Sequence, residues 1–190
     1  ADVATDQGDV VARLTSQIAG GTEFIVPMGE RADPQTVQFG NHVDTEPVGV
    51  LAWEATRIAS GIPRIGLDTD ARTIPNEIGL YATHLDKGCY RGQETVARVH
   101  NLGRPPRRLT MLMLDGSDAE LPDPGASVIL EGRKVGQLGG VALHHELGPV
   151  GLALLKRNVS VDSVLTVDGV AASQTILVDP EVGLHVRPQL

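Results

Sequence analysis

The chain has 190 residues and a formal net charge of −8, with 41% hydrophobic residues but only 3% aromatic. That length suffices for one large or two small domains with real cores, and the scarcity of aromatic rings argues against a base-stacking platform, so direct nucleic-acid binding is not expected. A single cysteine, Cys89, excludes an intrachain disulfide, and with no signal-like or membrane-length apolar run the chain reads as cytoplasmic.

Residues 1–8 offer little apolar surface and are expected to be irregular. From Asp9, Val10, Val11, Leu14 and Ile18 recur at helical spacing and stop at Gly20-Gly21, which predicts an amphipathic helix. Phe24, Ile25 and Val26 predict a short strand ended by Pro27. A further strand is expected at Thr36–Phe39, between the Asp33-Pro34 and Gly40-Asn41 turns. Asp44 and Thr45 ahead of Glu46-Pro47 have the order of a helix start. Leu51, Ala55 and Ile58 then share one face, with Arg57 one residue off it, and Gly61 and Pro63 close the helix. Residues 64–86 show little periodicity and read as a long loop with short turns.

That loop leads into Lys87-Gly88-Cys89-Tyr90-Arg91-Gly92-Gln93-Glu94, where unusual chemistry is concentrated. Cations at Lys87 and Arg91 flank the thiol, and Gln93–Val99 is compatible with a short helix. Adjacent positive charge and a helix N-terminus both favour the thiolate, so Cys89 is the candidate reactive group. The alternative is a small buried hydrophobe beside a glycine turn. Tyr81 and His84 lie just upstream, and a Cys-His pair would be one way to activate the sulfur. Residues 87–108 carry Lys87, Arg91, Arg98, Arg104, Arg107 and Arg108 against Glu94, a net of +5, which leaves −13 of the total of −8 for the remainder. Such a basic island can attract an anion, or it can be a solvated face paired with acidic neighbours.

Beyond Pro105-Pro106 the pattern changes. Leu109–Leu114, Ser127–Leu130, Val135–Leu138, Val150–Leu155, Val164–Val167 and Gln174–Val178 are strand candidates, separated by turn pairs such as Glu131-Gly132 and Asp168-Gly169. Six closely spaced short strands predict a small antiparallel barrel. His144-His145 could suggest a metal, but neighbours on a strand point to opposite faces, so both are read as loop or surface residues and no metal site is assigned. One cysteine also cannot supply the thiolates of an iron–sulfur cluster.

The octet resembles the signature of the YgfZ branch of the YgfZ/GcvT family, folate-binding proteins related to the T-protein of glycine cleavage. Further similarity lies in Trp53–Pro63, Ile74–Leu80, Gly21–Pro27, Val96–Gly103 and Pro105–Leu109. The resemblance implies an α+β fold: residues 1–104 as an incomplete GcvT-like α/β folate-binding region, and residues 105–190 as a C-terminal antiparallel β-barrel. Family members are longer at the N-terminus, so roughly the first half of the usual protein is expected to be missing here. The resemblance also implies tetrahydrofolate as cofactor, iron–sulfur enzymes or their assembly factors as partners, and a link to tRNA modification through such enzymes. In that reading Cys89 is the reactive thiol, while Lys87 and Arg91 lower its pKa or hold an anion. Gly88 and Gly92 allow close approach of a ligand, Gln93 and Glu94 orient the loop or cap the helix, and Arg57 contacts folate. Two other readings stand beside it: a folate-dependent aminomethyltransferase like the T-protein, and a purely structural turn that docks the barrel against the missing portion.

Overall fold

The computed structural model describes residues 48–80, 87–102, 105–116 and 120–181, together with the backbone of three N-terminal strands. Those strands, β1 (Asp2–Ala4), β2 (Val10–Thr15) and β3 (Thr22–Ile25), form an antiparallel sheet in the order β1-β2-β3. Two expectations are corrected here. Part of residues 1–8 is a strand, and the helix predicted from Asp9 is the hairpin partner of β1 and β3, with Val11 opposite Val3 and Leu14 opposite Glu23. The β-branched Val10, Val11 and Thr15 favour extended backbone, and strand pairing prevails over a helical spacing only four residues deep. The strand expected at Phe24 is present as β3; Thr36–Phe39 and Asp44–Pro47 lie outside the described residues.

Helix α1 spans Val50–Ala59 behind an N-cap at Gly49, so it starts later than the Asp44-Thr45 signal implies. Its end is as predicted. Gly61 adopts φ +70°, and the amides of Gly61 and Ile62 donate to the carbonyls of Ile58 and Arg57, satisfying the last turn. Ala55 and Ile58 are buried, but Leu51 is exposed and does not share their contact. The long loop holds one 3₁₀ turn, Pro75–Ile78, and helix α2 covers Gln93–Leu102, where a helix was expected after the octet.

Six strands form where the C-terminal half predicted six: β4 (Arg107–Leu114), β5 (Ser127–Leu130), β6 (Arg133–His144), β7 (Gly148–Lys156), β8 (Leu165–Val167) and β9 (Val170–Ile176), the last displaced toward the N-terminus from the expected Gln174–Val178. They close an antiparallel barrel in the order β4-β7-β6-β5-β8-β9. Two hairpins turn on pairs read from the sequence. Glu131-Gly132 and Asp168-Gly169 have positive φ at both residues, the two-residue turn whose twist matches that of the flanking strands. His144 stands at the end of β6, and its Nδ1 accepts the amides of Glu146 and Leu147, both at 3.2 Å, so it caps the β6–β7 turn.

Alternation sorts the strand residues onto two faces. Leu112, Leu114, Val128, Leu138, Ala153, Leu155, Leu165 and Val167 fill the barrel interior. Leu109, Met111, Val150, Leu152 and Leu154 point outward and pack against Ala55 and Ile58 of α1. Both faces of β7 are therefore covered, which explains its nearly continuous apolar run from Val150 to Leu155. Residues of α1 thus share a core with the barrel across the boundary expected at 104/105.

Candidate functional site

The octet forms the approach to α2. Gly92 takes φ +81°, the amide of Gln93 donates to the Tyr90 carbonyl at 3.2 Å, and that of Val96 to the Gly92 carbonyl at 3.1 Å, starting the helix. Glu94 lies in its first turn, where a negative charge is favoured by the exposed helix amides. Cys89 is free and exposed, so it is not a buried hydrophobe. Lys87 places its Nζ 4.6 Å from the centre of the Tyr90 ring, a cation–π contact that fixes one of the two charges flanking the thiol. The Tyr90 hydroxyl is buried without a hydrogen-bond partner among the described residues. A Cβ built on Gly88 or Gly92 would meet nothing within 4 Å, so space beside both is open. Tyr81 and His84 lie outside the described residues.

Arg57 does not join this group. It is only 1% exposed, and its donors are spent inside the fold: Nε and Nη2 on Glu54 Oε2 at 3.1 and 2.8 Å, and Nη1 on Asp68 Oδ2 at 2.9 Å and on the Ile62 carbonyl. Asp68 in turn accepts the amides of Arg64 at 2.7 Å and Gly140 at 2.6 Å. Arg64 closes the network on Glu54 Oε1 at 2.6 Å. Burial pushes the Glu54 carboxyl up, but hydrogen bonds from Arg57 and Arg64 outweigh it and hold the group below its ordinary value. This clamp ties α1 and the following loop to β6 at a bulge between Leu138 and Val141. Gly139 and Gly140 sit there because any side chain would collide with Asp68 or Arg57.

A second clamp holds the far end of the loop. Arg107 grips the fully buried Glu77 through Nε and Nη2 at 2.9 and 2.8 Å, and Asp70 through Nη1 and Nη2 at 2.7 and 3.1 Å. Glu77 also accepts the amide of Ile74 at 3.1 Å. Arg108, on the opposite face of β4, is buried with Thr110, Gln174 and the Val159 carbonyl as partners. Burial lowers its pKa, and the nearby Arg157 adds to the effect. Of the basic island, then, Arg107 and Arg108 serve the fold, while Lys87 and Arg91 face solvent.

The pH dependence of the second clamp has a definite sign. Hydrogen bonds from Arg107 hold the Asp70 carboxyl well below the usual carboxylate range. Its stabilising contribution is therefore complete above the unfolded value near ~4 and is lost as pH falls below it. Asp70→Asn is expected to flatten the decline of stability below about pH 4 in urea titrations, with little change in slope from pH 5 to 8. An unchanged acid limb would show that the pair is too solvated to matter.

Glu54, Asp68, Asp70 and Glu77 were not singled out from the sequence. The Gly139-Gly140 pair inside an apolar run was the available signal, because paired glycines in a strand mark a bulge or a close approach.

A six-stranded closed antiparallel barrel, covered on its outer face by a short helix, defines a β-barrel domain. The chain matches, over residues 107–177, the family described as CAF17, C-terminal beta-barrel domain. It is 34% identical over 127 residues to "Putative transferase At1g60990, chloroplastic" of Arabidopsis thaliana, covering 64% of this chain and 28% of that protein. Two proteins named "tRNA-modifying protein YgfZ" are also similar. That of Edwardsiella ictaluri is 34% identical over 132 residues (66% of this chain, 39% of that protein). That of Colwellia psychrerythraea is 32% identical over 99 residues (50% and 30%). The chain thus spans well under half the length of these relatives. None of the helices in the described residues is long and apolar enough to cross a membrane.

Proposed function

We propose that this chain is part of a YgfZ-type accessory protein that binds tetrahydrofolate and supports the assembly or repair of iron–sulfur enzymes, including tRNA-modifying ones. The single observation that carries the reading is Cys89, free and exposed at the approach to α2, between Lys87 and Arg91. The names of the bacterial relatives support the tRNA-modification part. Cys89 acts as the reactive thiol, with Lys87 and Arg91 beside it as charges that can hold an anion.

Residues 87–94 fit a folate in chemistry: exposed cations for its carboxylates, open space beside Gly88 and Gly92, and an unpartnered Tyr90 hydroxyl. Arg57 fits less well as a direct contact, because its donors are committed to Glu54, Asp68 and Ile62; its part in this reading is to position the region. The folate would supply one-carbon chemistry, and this chain the anchoring charges. The expected cytoplasmic location belongs to the same reading, beside a plant relative whose name places it in the chloroplast.

The test is Cys89→Ala in the full-length protein, scored by the activity of iron–sulfur enzymes in cells under oxidative stress. Activity is expected to fall to the level of cells lacking the protein, with thermal unfolding unchanged because the thiol is exposed. Full activity in the variant would remove the reactive thiol from the mechanism. The name of the plant relative favours a transferase as second reading; folate-dependent release of methylenetetrahydrofolate from an aminomethyl donor would establish that instead.

A further inference from the structure

A cleft of about 430 Å³ opens between the 67–72 loop and the β4-β7-β6 wall of the barrel, and no residue of the octet lines it. Its apolar lining comes from Leu67 and Val135, both half-buried, with the buried Leu138 and Leu154. Its two carboxylates are ion-paired within the fold, Asp68 with Arg57, which also holds Glu54, and Asp70 with Arg107, which also holds Glu77. Three further cations, Arg72, Lys134 and Lys156, line the cleft and are exposed. Lys156 donates to the Lys134 carbonyl at 3.1 Å, which holds its ammonium at the cleft and leaves further donors free.

The walls do not need to form on binding. The loop is fastened at Asp68 to the β6 bulge and at Asp70 to β4, so the rim is fixed in advance and little ordering cost is incurred. Like charges lining one cleft repel each other and are stabilised when an anion arrives between them. In a chain of net charge −8, this cluster does not reflect a generally basic surface. The volume also lies in the range of pockets that enclose small organic molecules.

We propose that this cleft binds an amphipathic organic oxyanion, its apolar body over Leu67 and Val135 and its clustered phosphate or carboxylate oxygens between Arg72, Lys134 and Lys156. The site is independent of the folate reading, since it shares no residue with the octet.

The test is calorimetric titration of the chain at low salt with three probes: adenosine triphosphate, benzene-1,2,4,5-tetracarboxylate and tripolyphosphate. One of the two ring-bearing probes is expected to bind well below millimolar concentration and more tightly than tripolyphosphate. Which one binds more tightly identifies phosphate or carboxylate as the preferred group. Lys134→Glu and Lys156→Glu are each expected to weaken binding about tenfold, whereas Arg133→Glu, an equal charge change outside the cleft, leaves it unaltered. The proposal is overturned if neither ring-bearing probe binds below millimolar concentration, if tripolyphosphate binds as tightly as both, or if Arg133→Glu weakens binding as much as the lysine variants. Unchanged binding by Cys89→Ala, set beside loss of that variant's activity in cells, separates this site from the proposed function.

Discussion

Asp68→Ala is expected to lower the stability of the protein by about 3 kcal/mol, or more, as read from the urea midpoint at constant slope. The carboxylate has no exposed surface and holds three groups at once: the Arg57 guanidinium and the amides of Arg64 and Gly140. Its loss leaves a charged group that is 1% exposed without one of its two counter-ions, and two amides without an acceptor. Domains of this size have only about 5–15 kcal/mol to lose. The result is distinguishable from a general packing defect by the double variant Arg57→Met/Asp68→Ala. Removing Arg57 as well should cost less than the sum of the two single losses, because either single variant already breaks the Arg57–Asp68 pair. A single-variant loss below about 1 kcal/mol would mean that water reaches Arg57 and that the clamp is ornamental.

Gly139→Ala is expected to cost about 2–3 kcal/mol, from overpacking and not from lost contacts. An added Cβ would stand 2.8 Å from the Asp68 Cα and 2.3 Å from its Oδ1, and backbone cannot withdraw as a flexible side chain can. The substitution therefore pushes the loop away from β6 and strains the Asp68 hydrogen bonds from the other side. Gly88→Ala is the matched control, since nothing lies within 4 Å of the added methyl, and its change should remain within about 0.5 kcal/mol. Equal effects at the two positions would show that the close approach does not set the cost, since the unfolded-chain entropy favours alanine at both. Both experiments read the same junction, so their effects should not add when combined.

The barrel was legible in the sequence because its information is local. Glu131-Gly132 and Asp168-Gly169 mark two-residue turns by their chemistry alone, and the runs around them alternate as pleated strands must. Boundaries were less legible. The strand expected at Val135–Leu138 continues to His144, because the bulge at Gly139-Gly140 carries the ladder onward where glycines would ordinarily end it. At Val10–Thr15 the helical spacing of Val10, Val11 and Leu14 was misleading, since what holds those residues extended is pairing with strands elsewhere in the chain.

The exposed cysteine, its flanking cations and the helix behind it could likewise be read locally. The clamps could not. Arg57 and Asp68 are 11 residues apart and Asp68 and Gly140 are 72 apart, separations at which a sequence gives no sign that two side chains will meet. Arg57 is the instructive case. A cation one residue off an apolar face reads as a surface group or a ligand contact, and only the return of the loop over α1 turns it into an internal anchor.

Closure of the barrel limits how any other molecule can engage this half of the protein. In a sheet that returns on itself, the ladder amides and carbonyls of β4 and β9 satisfy one another, leaving no edge on which a foreign segment could add a strand. Anything that recognises the barrel must therefore do so through side chains and loops, and the same sealing protects the domain from edge-to-edge polymerisation.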